Sequence, residues 1–358
     1  MEHQIEWVIS DIRLETPDTK TFFLQPTDDS PLQARAGQFL TFLFEIHGKT
    51  LRRSYSLSSI QSDKPDLIFV PRPSPFVPFA AAITVKRIEN GEVSRLLFDH
   101  TKVGDSLQSL SPMGRFVLES THPPTLHYWF IVGGSGISPV FSLIQELLFT
   151  QPKADVVLLY ASHSEGETIF YPELEALKEV YPKRLTIEYF FSRSAGHSRR
   201  LNQDFIERNM RKRARSMAYL CGPLSLMRMA QMMLKMMGWS ESQIRQEDFI
   251  PPPHFKPYNL PIFNEQVKAV FQIHGGEYEV VIPAGKTILD AALESGVALP
   301  YSCKGGVCTS CLCRCTKGSV VMPFNQKLLP SEVEEGLTLT CIAYPNSEEL
   351  IFSYETTD

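Results

Sequence analysis

Four cysteines near the C-terminal end, Cys303, Cys308, Cys311 and Cys341, run as C-x4-C-x2-C followed by a lone cysteine 30 residues on. The spacing is a thiolate pattern for a 2Fe-2S cluster, which makes these four the candidate metal ligands. Structural zinc, the rival reading, commonly uses two close pairs such as C-x2-C with a second C-x2-C. Here one close set is followed by one isolated cysteine, and Gly305 and Gly306 would let backbone N–H groups approach the sulfurs. Iron–sulfur is the better fit. A cluster that carries one electron at a time makes the chain a redox conductor, and something must feed it.

The remaining cysteines argue for a reducing setting. Five of the seven lie between Cys303 and Cys315, and the first 300 residues hold only Cys221, which is not the distribution of a disulfide scaffold. The opening MEHQIEWVISDIRLE carries Glu2 and Glu6 and no apolar signal-peptide core. The most apolar stretch, 126–149, is broken by Gly133, Gly134, Gly136 and Pro139, whereas a membrane span needs about 20 largely uninterrupted apolar residues. A cytoplasmic protein without membrane insertion is therefore expected. From Glu265 onward six Lys/Arg stand against twelve Asp/Glu, a net of −6, so the total of −5 leaves about +1 for the rest. Such a module disfavours nucleic acid and suits a basic protein partner, although an ordinary solvated surface would look the same.

The hydrophobic period changes twice along the 358 residues, a length that suits two or three domains. Residues 1–118 read as short β segments between turn signals: IEWVISDIRLE, KTFFLQP, QFLTFLFEI, RRSYSLSS, DLIFVPR, AAITVKRI and DSLQSLSPMG. That pattern predicts an antiparallel β-barrel or sandwich. Residues 119–249 alternate apolar strands (LHYWFIV, DVVLLYASH, RLTIEYFFSRS, AYLCGP) with helical segments (SPVFSLIQELLF, PELEALKEVY, LSLMRMAQMMLKMMG), which predicts an α/β domain with a parallel sheet. The proline-rich stretch 250–263 reads as a stiff linker. Residues 264–358 begin with a hairpin turning at Gly275-Gly276, continue with the helix TILDAALESG, and end in the cysteine-bearing region.

Residues 267–354 resemble plant-type ferredoxins, most specifically in LPYSCKGGVCTSC, and the resemblance implies an α+β (β-grasp) domain. Cys313 and Cys315 match no ligand position of that family. They alternate in the strand-like LCRCTKGSV and read as small core residues on one face.

Arg53-Ser54-Tyr55-Ser56 resembles the R-x-Y-S signature of ferredoxin–NADP reductase-like flavoproteins. A guanidinium at Arg53 would neutralise a flavin diphosphate. The Tyr55 ring would lie against the isoalloxazine, and the Ser56 hydroxyl would reach flavin N5. ITVKRIENGEVSRLL resembles the second flavin segment of that family, which brings in Lys86, Gly91, Val93 and Ser94 as cofactor-binding candidates. Its Gly91-x-x-Ser94 would open a helix whose free N–H groups bind phosphate. Ser111-Pro112-Met113-Gly114-Arg115-Phe116 resembles the turn closing the barrel. FAD rather than FMN is implied by the resemblance alone.

The strand LHYWFIV runs into Gly133-Gly134-Ser135-Gly136-Ile137-Ser138-Pro139. Pro139 replaces the third glycine of the usual dinucleotide fingerprint but suits the first turn of a helix that faces a diphosphate. The loop resembles the G-G-(S/T)-G-(I/V)-(S/T)-P loop of the same reductases, and Cys221-Gly222-Pro223 resembles their C-G-P turn, whose cysteine lies near the nicotinamide. The end of DVVLLYASH offers no acidic residue for a ribose diol. Ser192 and Arg193 resemble 2′-phosphate contacts, with Arg199 and Arg200 close by, so NADPH is expected and NADH stays open. The methionines at 227, 229, 232, 233, 236 and 237 are expected to pack a helix onto the sheet, and RKRAR (211–215) to be a solvated helix end.

In this order the modules resemble the reductase components of multicomponent bacterial oxygenases, such as the phenylacetyl-CoA epoxidase type. The resemblance implies an enzyme that moves electrons from NAD(P)H through FAD and a 2Fe-2S cluster to an external redox protein, with Tyr55, Ser56 and Cys221 at the hydride-transfer centre. An oxygenase or hydroxylase is the expected acceptor. A desaturase or hybrid-cluster protein is the alternative, and a non-catalytic electron carrier stands as a different class.

Overall fold

The computed structural model describes residues 4–28, 32–60, 80–119, 127–193, 199–210, 215–249, 266–273, 275–325 and 327–354. The expected linker, most of the PRPSPFVPFAAA stretch, the expected strand DLIFVPR and all but Arg215 of RKRAR lie outside them. The chain divides into two compact units, Gln4–Asp248 and a second over Phe249–Asp358 that also takes in Met1–His3.

The first unit opens with β1 (Gln4–Thr16), β2 (Thr19–Pro26), β3 (Phe39–Ile46), β4 (Lys49–Ile60), β5 (Ala81–Lys86), the short helix α1 (Glu92–Arg95) and β6 (Ser106–Leu110). The strands close into an antiparallel barrel in the order β1-β2-β5-β4-β3-β6. Alternation along them turns Trp7, Ile9, Phe22, Leu24, Leu40, Phe42, Leu57, Ile83 and Val85 inward, all fully buried. Each such large side chain contributes about 1.5–3 kcal/mol relative to exposure. The polar atom of Trp7 is satisfied as well, because its indole N–H donates to Ser109 Oγ at 2.8 Å.

The unit continues with β7 (His127–Gly133), α2 (Ile137–Thr150), β8 (Asp155–Ser162), α3 (Tyr171–Val180), β9 (Leu185–Phe191), α4 (Gln203–Asn209), β10 (Ser216–Cys221), α5 (Leu224–Met236) and β11 (Ile244–Glu247). The strands form a parallel sheet in the order β11-β10-β7-β8-β9. From β7 the chain builds outward on one side to β8 and β9, then returns to the other side for β10 and β11. The order therefore reverses between β7 and β10, where open parallel sheets leave a crevice at their carboxyl ends. One core gathers Phe130, Val132 and Tyr160 with Phe141 and Ile144 of α2 and Leu174 of α3, and another packs Ile131 and Leu220 with Ile206 of α4 and Ala230 of α5. The methionine stripe is split: Met227 and Met233 are buried, while Met232 and Met236 are exposed. Six methionines span more of the helix circumference than one sheet contact can cover.

Barrel and sheet are joined by hydrogen bonds from Gly37 N to Ser142 Oγ (3.0 Å), from Tyr219 Oη to the Val117 carbonyl (3.1 Å) and from Arg35 Nη2 to the Leu118 carbonyl (2.6 Å).

The second unit holds β12 (Val267–Ile273), β13 (Gly276–Ile282), α6 (Ile288–Glu294), β14 (Leu312–Lys317), β15 (Val320–Val321), α7 (Pro330–Glu334), β16 (Leu337–Leu339), β17 (Tyr344–Pro345) and β18 (Glu349–Ser353). Its mixed sheet runs β13-β12-β18-β14-β16, with β12 and β18 parallel, and β15 pairs separately with β17. Phe271 and Phe352 stack at 5.3 Å in the core, beneath Ile288, Leu289 and Ala292 of α6.

Candidate functional site

β4 carries the R-x-Y-S segment between β3 and β5, so successive side chains face opposite sides of the barrel wall. Arg53 is exposed, its Nη1 donating to the Arg52 carbonyl at 2.8 Å. Tyr55 is half-buried, with its ring centroid 6.2 Å from that of Phe42. Burial pushes its phenol well above the ordinary range, only partly offset by the Arg53 charge, so the ring stays neutral. On the alternate face, buried Ser56 donates its hydroxyl to Glu247 Oε2 at 3.1 Å. A bulge follows between Leu57 and Ser59. There Ser58 Oγ donates to the Ala82 carbonyl at 3.2 Å and accepts from Thr84 Oγ1 at 2.9 Å.

Lys86 ends β5 with its ammonium 3.1 Å from Asp18. Burial raises the Asp18 carboxyl, but hydrogen bonds from Thr16 and Lys86 outweigh it and hold the group below the usual carboxylate range. Gly91 and Ser94 form a self-contained turn at the start of α1. Ser94 Oγ accepts from Ile88 N at 3.2 Å and donates to the Gly91 carbonyl at 3.3 Å, while Val93 is buried.

The two glycine-bearing loops of the parallel sheet are packed backbone to backbone at its reversal point. A Cβ on Gly136 would fall 2.3 Å from the Cys221 carbonyl oxygen, and one on Gly133 would fall 2.5 Å from Pro223 Cδ. Gly222, at φ +150°, leaves no space for a Cβ beside Gly133 N. Gly134 turns with φ +53°, its carbonyl accepting from Tyr160 Oη at 3.1 Å. Ser138 Oγ closes the loop onto the Ser135 carbonyl at 3.0 Å, and Ile137, whose N–H bonds back to the Gly134 carbonyl, begins α2. Cys221 is fully buried at the end of β10.

Farther along the same edge, the ends of β8 and β9 are tied together. Ser192 N donates to the Ser162 carbonyl (3.0 Å) and Arg193 N to the His163 carbonyl (2.8 Å), while His163 Nδ1 lies 3.1 Å from Ser192 Oγ. Arg193 is exposed. Arg199 is committed elsewhere: its guanidinium lies 4.7 Å from the Phe190 ring centroid and 4.8 Å from that of Phe205, with Glu188 at 3.3 Å.

In the second unit the loop between α6 and β14 folds back on itself through positive φ at Lys304 (51°), Gly306 (73°) and Thr309 (59°). Backbone N–H groups point at sulfur, Gly305 N to Cys303 Sγ at 3.3 Å and Cys303 N to Cys308 Sγ at 3.4 Å. Cys341 returns to this loop just after β16. Hydrogen bonds from Cys308 and Cys341 pull the Cys303 thiol well down, and one from Cys341 lowers Cys311 as well. Cys308 and Cys341, as the donors, are pushed up. The sulfurs are linked in a row, Cys308 to Cys303 to Cys341 to Cys311. A thiolate-bound 2Fe-2S cluster asks for such a set, with N–H groups directed at the sulfurs. Cys313 is buried in the core and Cys315 packs partly against it, its Sγ 3.2 Å from the Lys317 carbonyl. Burial raises both thiols, as expected for core residues.

Sequence reading missed several supporting residues. Glu247 ends a four-residue polar strand, Tyr160 lies in an apolar run, and Thr340, whose Oγ1 donates to the Cys311 carbonyl at 3.1 Å, has no spacing signature. Lys304 pairs with Asp290 at 3.0 Å across the cysteine loop.

The sequence matches three family profiles in chain order: an oxidoreductase FAD-binding domain over residues 6–118, an oxidoreductase NAD-binding domain over 130–232, and a 2Fe-2S iron-sulfur cluster binding domain over 271–346. It is 29% identical over 358 residues to a subunit of the 1,2-phenylacetyl-CoA epoxidase from Escherichia coli K12, covering 97% of this chain and 96% of that one. It is 30% identical over 354 residues to the ferredoxin reductase component of 3-ketosteroid-9-alpha-monooxygenase from Rhodococcus rhodochrous, covering 96% and 94%. Among solved structures, phthalate dioxygenase reductase shares the fold over 98% of both chains, with a TM-score of 0.60 and 22% identity.

Proposed function

Because the chain belongs to the family of FAD-, NAD- and 2Fe-2S-binding oxidoreductases that serve oxygenase systems as reductase components, we propose that its electron acceptor is an oxygenase or hydroxylase component. It is an oxidoreductase that passes electrons from NAD(P)H through FAD and a 2Fe-2S cluster to an external acceptor. When bound, the flavin takes the hydride pair and the cluster carries single electrons.

The observation that carries this reading is the bond between Ser56 and Glu247, which draws the R-x-Y-S strand onto the carboxyl edge of the nucleotide sheet. Hydride transfer needs its two partners held together in one geometry. Ser56 serves the flavin N5 position, with Glu247 orienting its hydroxyl. Tyr55, a neutral phenol, would lie against the flavin ring, and Arg53 would neutralise the diphosphate. Lys86, Gly91, Val93 and Ser94 form the second flavin-binding segment, Lys86 acting from its ion pair with Asp18. Gly133, Gly134, Ser135, Gly136 and Ile137 receive the nicotinamide dinucleotide diphosphate, with Gly222 and Pro223 packed behind them and Cys221 at the nicotinamide. Ser192 and Arg193 favour NADPH over NADH. Cys303, Cys308, Cys311 and Cys341 hold the cluster.

The acidic balance of the C-terminal module suits a basic face on the partner. Among the described residues no helix is long and apolar enough to cross a membrane. The cysteine distribution, with Cys221 alone in the first 300 residues, supports a cytoplasmic setting, where thiols stay reduced.

The test is NADPH-dependent reduction of cytochrome c by holoprotein, compared with its Cys308→Ser variant. The variant should lose cluster absorbance and cytochrome c reduction yet keep ferricyanide reduction at the flavin. Loss of both activities in a folded, flavin-loaded variant would overturn this order of transfer. A kcat/KM for NADH equal to or above that for NADPH would remove the nucleotide assignment.

A further inference from the structure

His163 follows directly on β8 and has no part in the roles above. We infer that it is a specificity-determining residue for the nucleotide: its imidazole, oriented by Ser192, donates a hydrogen bond to a phosphate monoester at the ribose 2′ position, beside Arg193. This rests on the nicotinamide site proposed above and extends it.

Topology supplies the first argument. In a parallel sheet that reverses between β10 and β7, the diphosphate sits at the helix after the first strand, and the adenosine ribose is met at the end of the second. That second strand is β8, ending at Ser162. Where an NAD-dependent site places a carboxylate to pair the ribose diol, this chain places an imidazole. A carboxylate repels a 2′-phosphate, whereas an imidazole N–H donates to it.

Local bonding supplies the second. The backbone bonds Ser192 N to Ser162 O and Arg193 N to His163 O bring His163, Ser192 and Arg193 onto one crest. His163 Nδ1 lies 3.1 Å from Ser192 Oγ. The same hydroxyl has a longer contact, 3.4 Å, to the Ser162 carbonyl; turned to the nearer Nδ1 it gives its proton there, the ring proton sits on Nε2, and Nε2 becomes the donor.

Charge supplies the third. Arg193 makes no ion pair among the described residues, and Arg199 is held by Phe190, Phe205 and Glu188. Two carboxylates follow His163, and each has its own partner: Glu167 accepts from Ser164 Oγ at 3.3 Å, and Glu165 hydrogen-bonds Tyr171. The crest is left with a guanidinium and an imidazole. Together they match a doubly charged phosphate better than an uncharged diol.

The experiment titrates the full-length holoprotein with 2′,5′-ADP and with 5′-ADP by calorimetry, and measures kcat/KM for NADPH and NADH by ferricyanide reduction. His163 is exposed, so its replacement leaves the packed core intact. His163→Ala is expected to weaken 2′,5′-ADP binding about tenfold, the size of one charge-assisted hydrogen bond, and to lower the NADPH-over-NADH ratio by the same factor. His163→Gln, which keeps a donor, should recover part of the loss, and His163→Asp should turn the preference toward NADH. If the wild-type protein prefers 2′,5′-ADP and His163→Ala leaves that preference intact, or weakens both nucleotides equally, the inference is wrong while the NADPH reading stands. If the wild-type protein binds 2′,5′-ADP no more tightly than 5′-ADP, the NADPH reading itself fails, and the inference falls with it.

Discussion

Gly136 has an ordinary right-handed backbone, φ −61° and ψ −11°, so conformational freedom is not what it supplies. It supplies space, because any side chain would collide with the Cys221 carbonyl. Gly136→Ala is therefore expected to push the ends of β7 and β10 apart at a cost of about 1–3 kcal/mol. NADPH affinity should fall further than that loss of stability explains, as thermal melts alongside nucleotide titration would show. The two glycine-bearing motifs were legible in the sequence as separate signals. That they form one packed object was not, since neither contains the other's coordinates. Glu247 was less legible still. It lies 191 residues from Ser56, in a strand whose sequence IRQE has no hydrophobic period to mark it.

At the scale of elements, α2 is held at both ends. Its N-terminus follows directly on the glycine loop that packs against Cys221, and its C-terminus is covered by Arg184. That guanidinium donates to the carbonyls of Leu148 at 2.9 Å, Gln151 at 2.6 Å, Leu147 at 3.3 Å and Ala154 at 3.2 Å. Last-turn carbonyls have no partner within their own helix, and a cation there also meets the negative end of the dipole. Arg184→Leu should cost about 3 kcal/mol and lower Tm in calorimetry, with kcat per folded molecule retained. The long elements followed their sequence periods closely. Those that escaped were short, such as β15 and β17 at two residues each, or polar, such as α4 and β11. Period is a statistical signal, and two to seven residues do not sample it.

At the scale of the molecule, period and packing divide the chain differently. The change of period separates residues 1–118 from 119–249, yet bonds such as Gly37 to Ser142 make them parts of one compact unit. Interfaces are built from tertiary pairings that no local pattern encodes. The second unit has a core of its own, with Phe271 and Phe352 at its centre. Residues 1–248 expressed alone should therefore bind flavin and reduce ferricyanide with NADPH while failing with cytochrome c, and the intact protein should melt in two calorimetric transitions. A single transition in the intact chain would contradict two independent cores.

The bond from Ser56 to Glu247 also sets a timetable for synthesis. A ribosome delivers the chain from its N-terminus, so the flavin strand emerges early and waits through nearly all of the reductase unit for its partner. Until Glu247 leaves the exit tunnel, Ser56 has no carboxylate to bond. The cysteines of the iron–sulfur loop follow later still. The electron inlet is thus completed on the nascent chain before its outlet has been translated, and a truncated translation product would take electrons in without a cluster to pass them on.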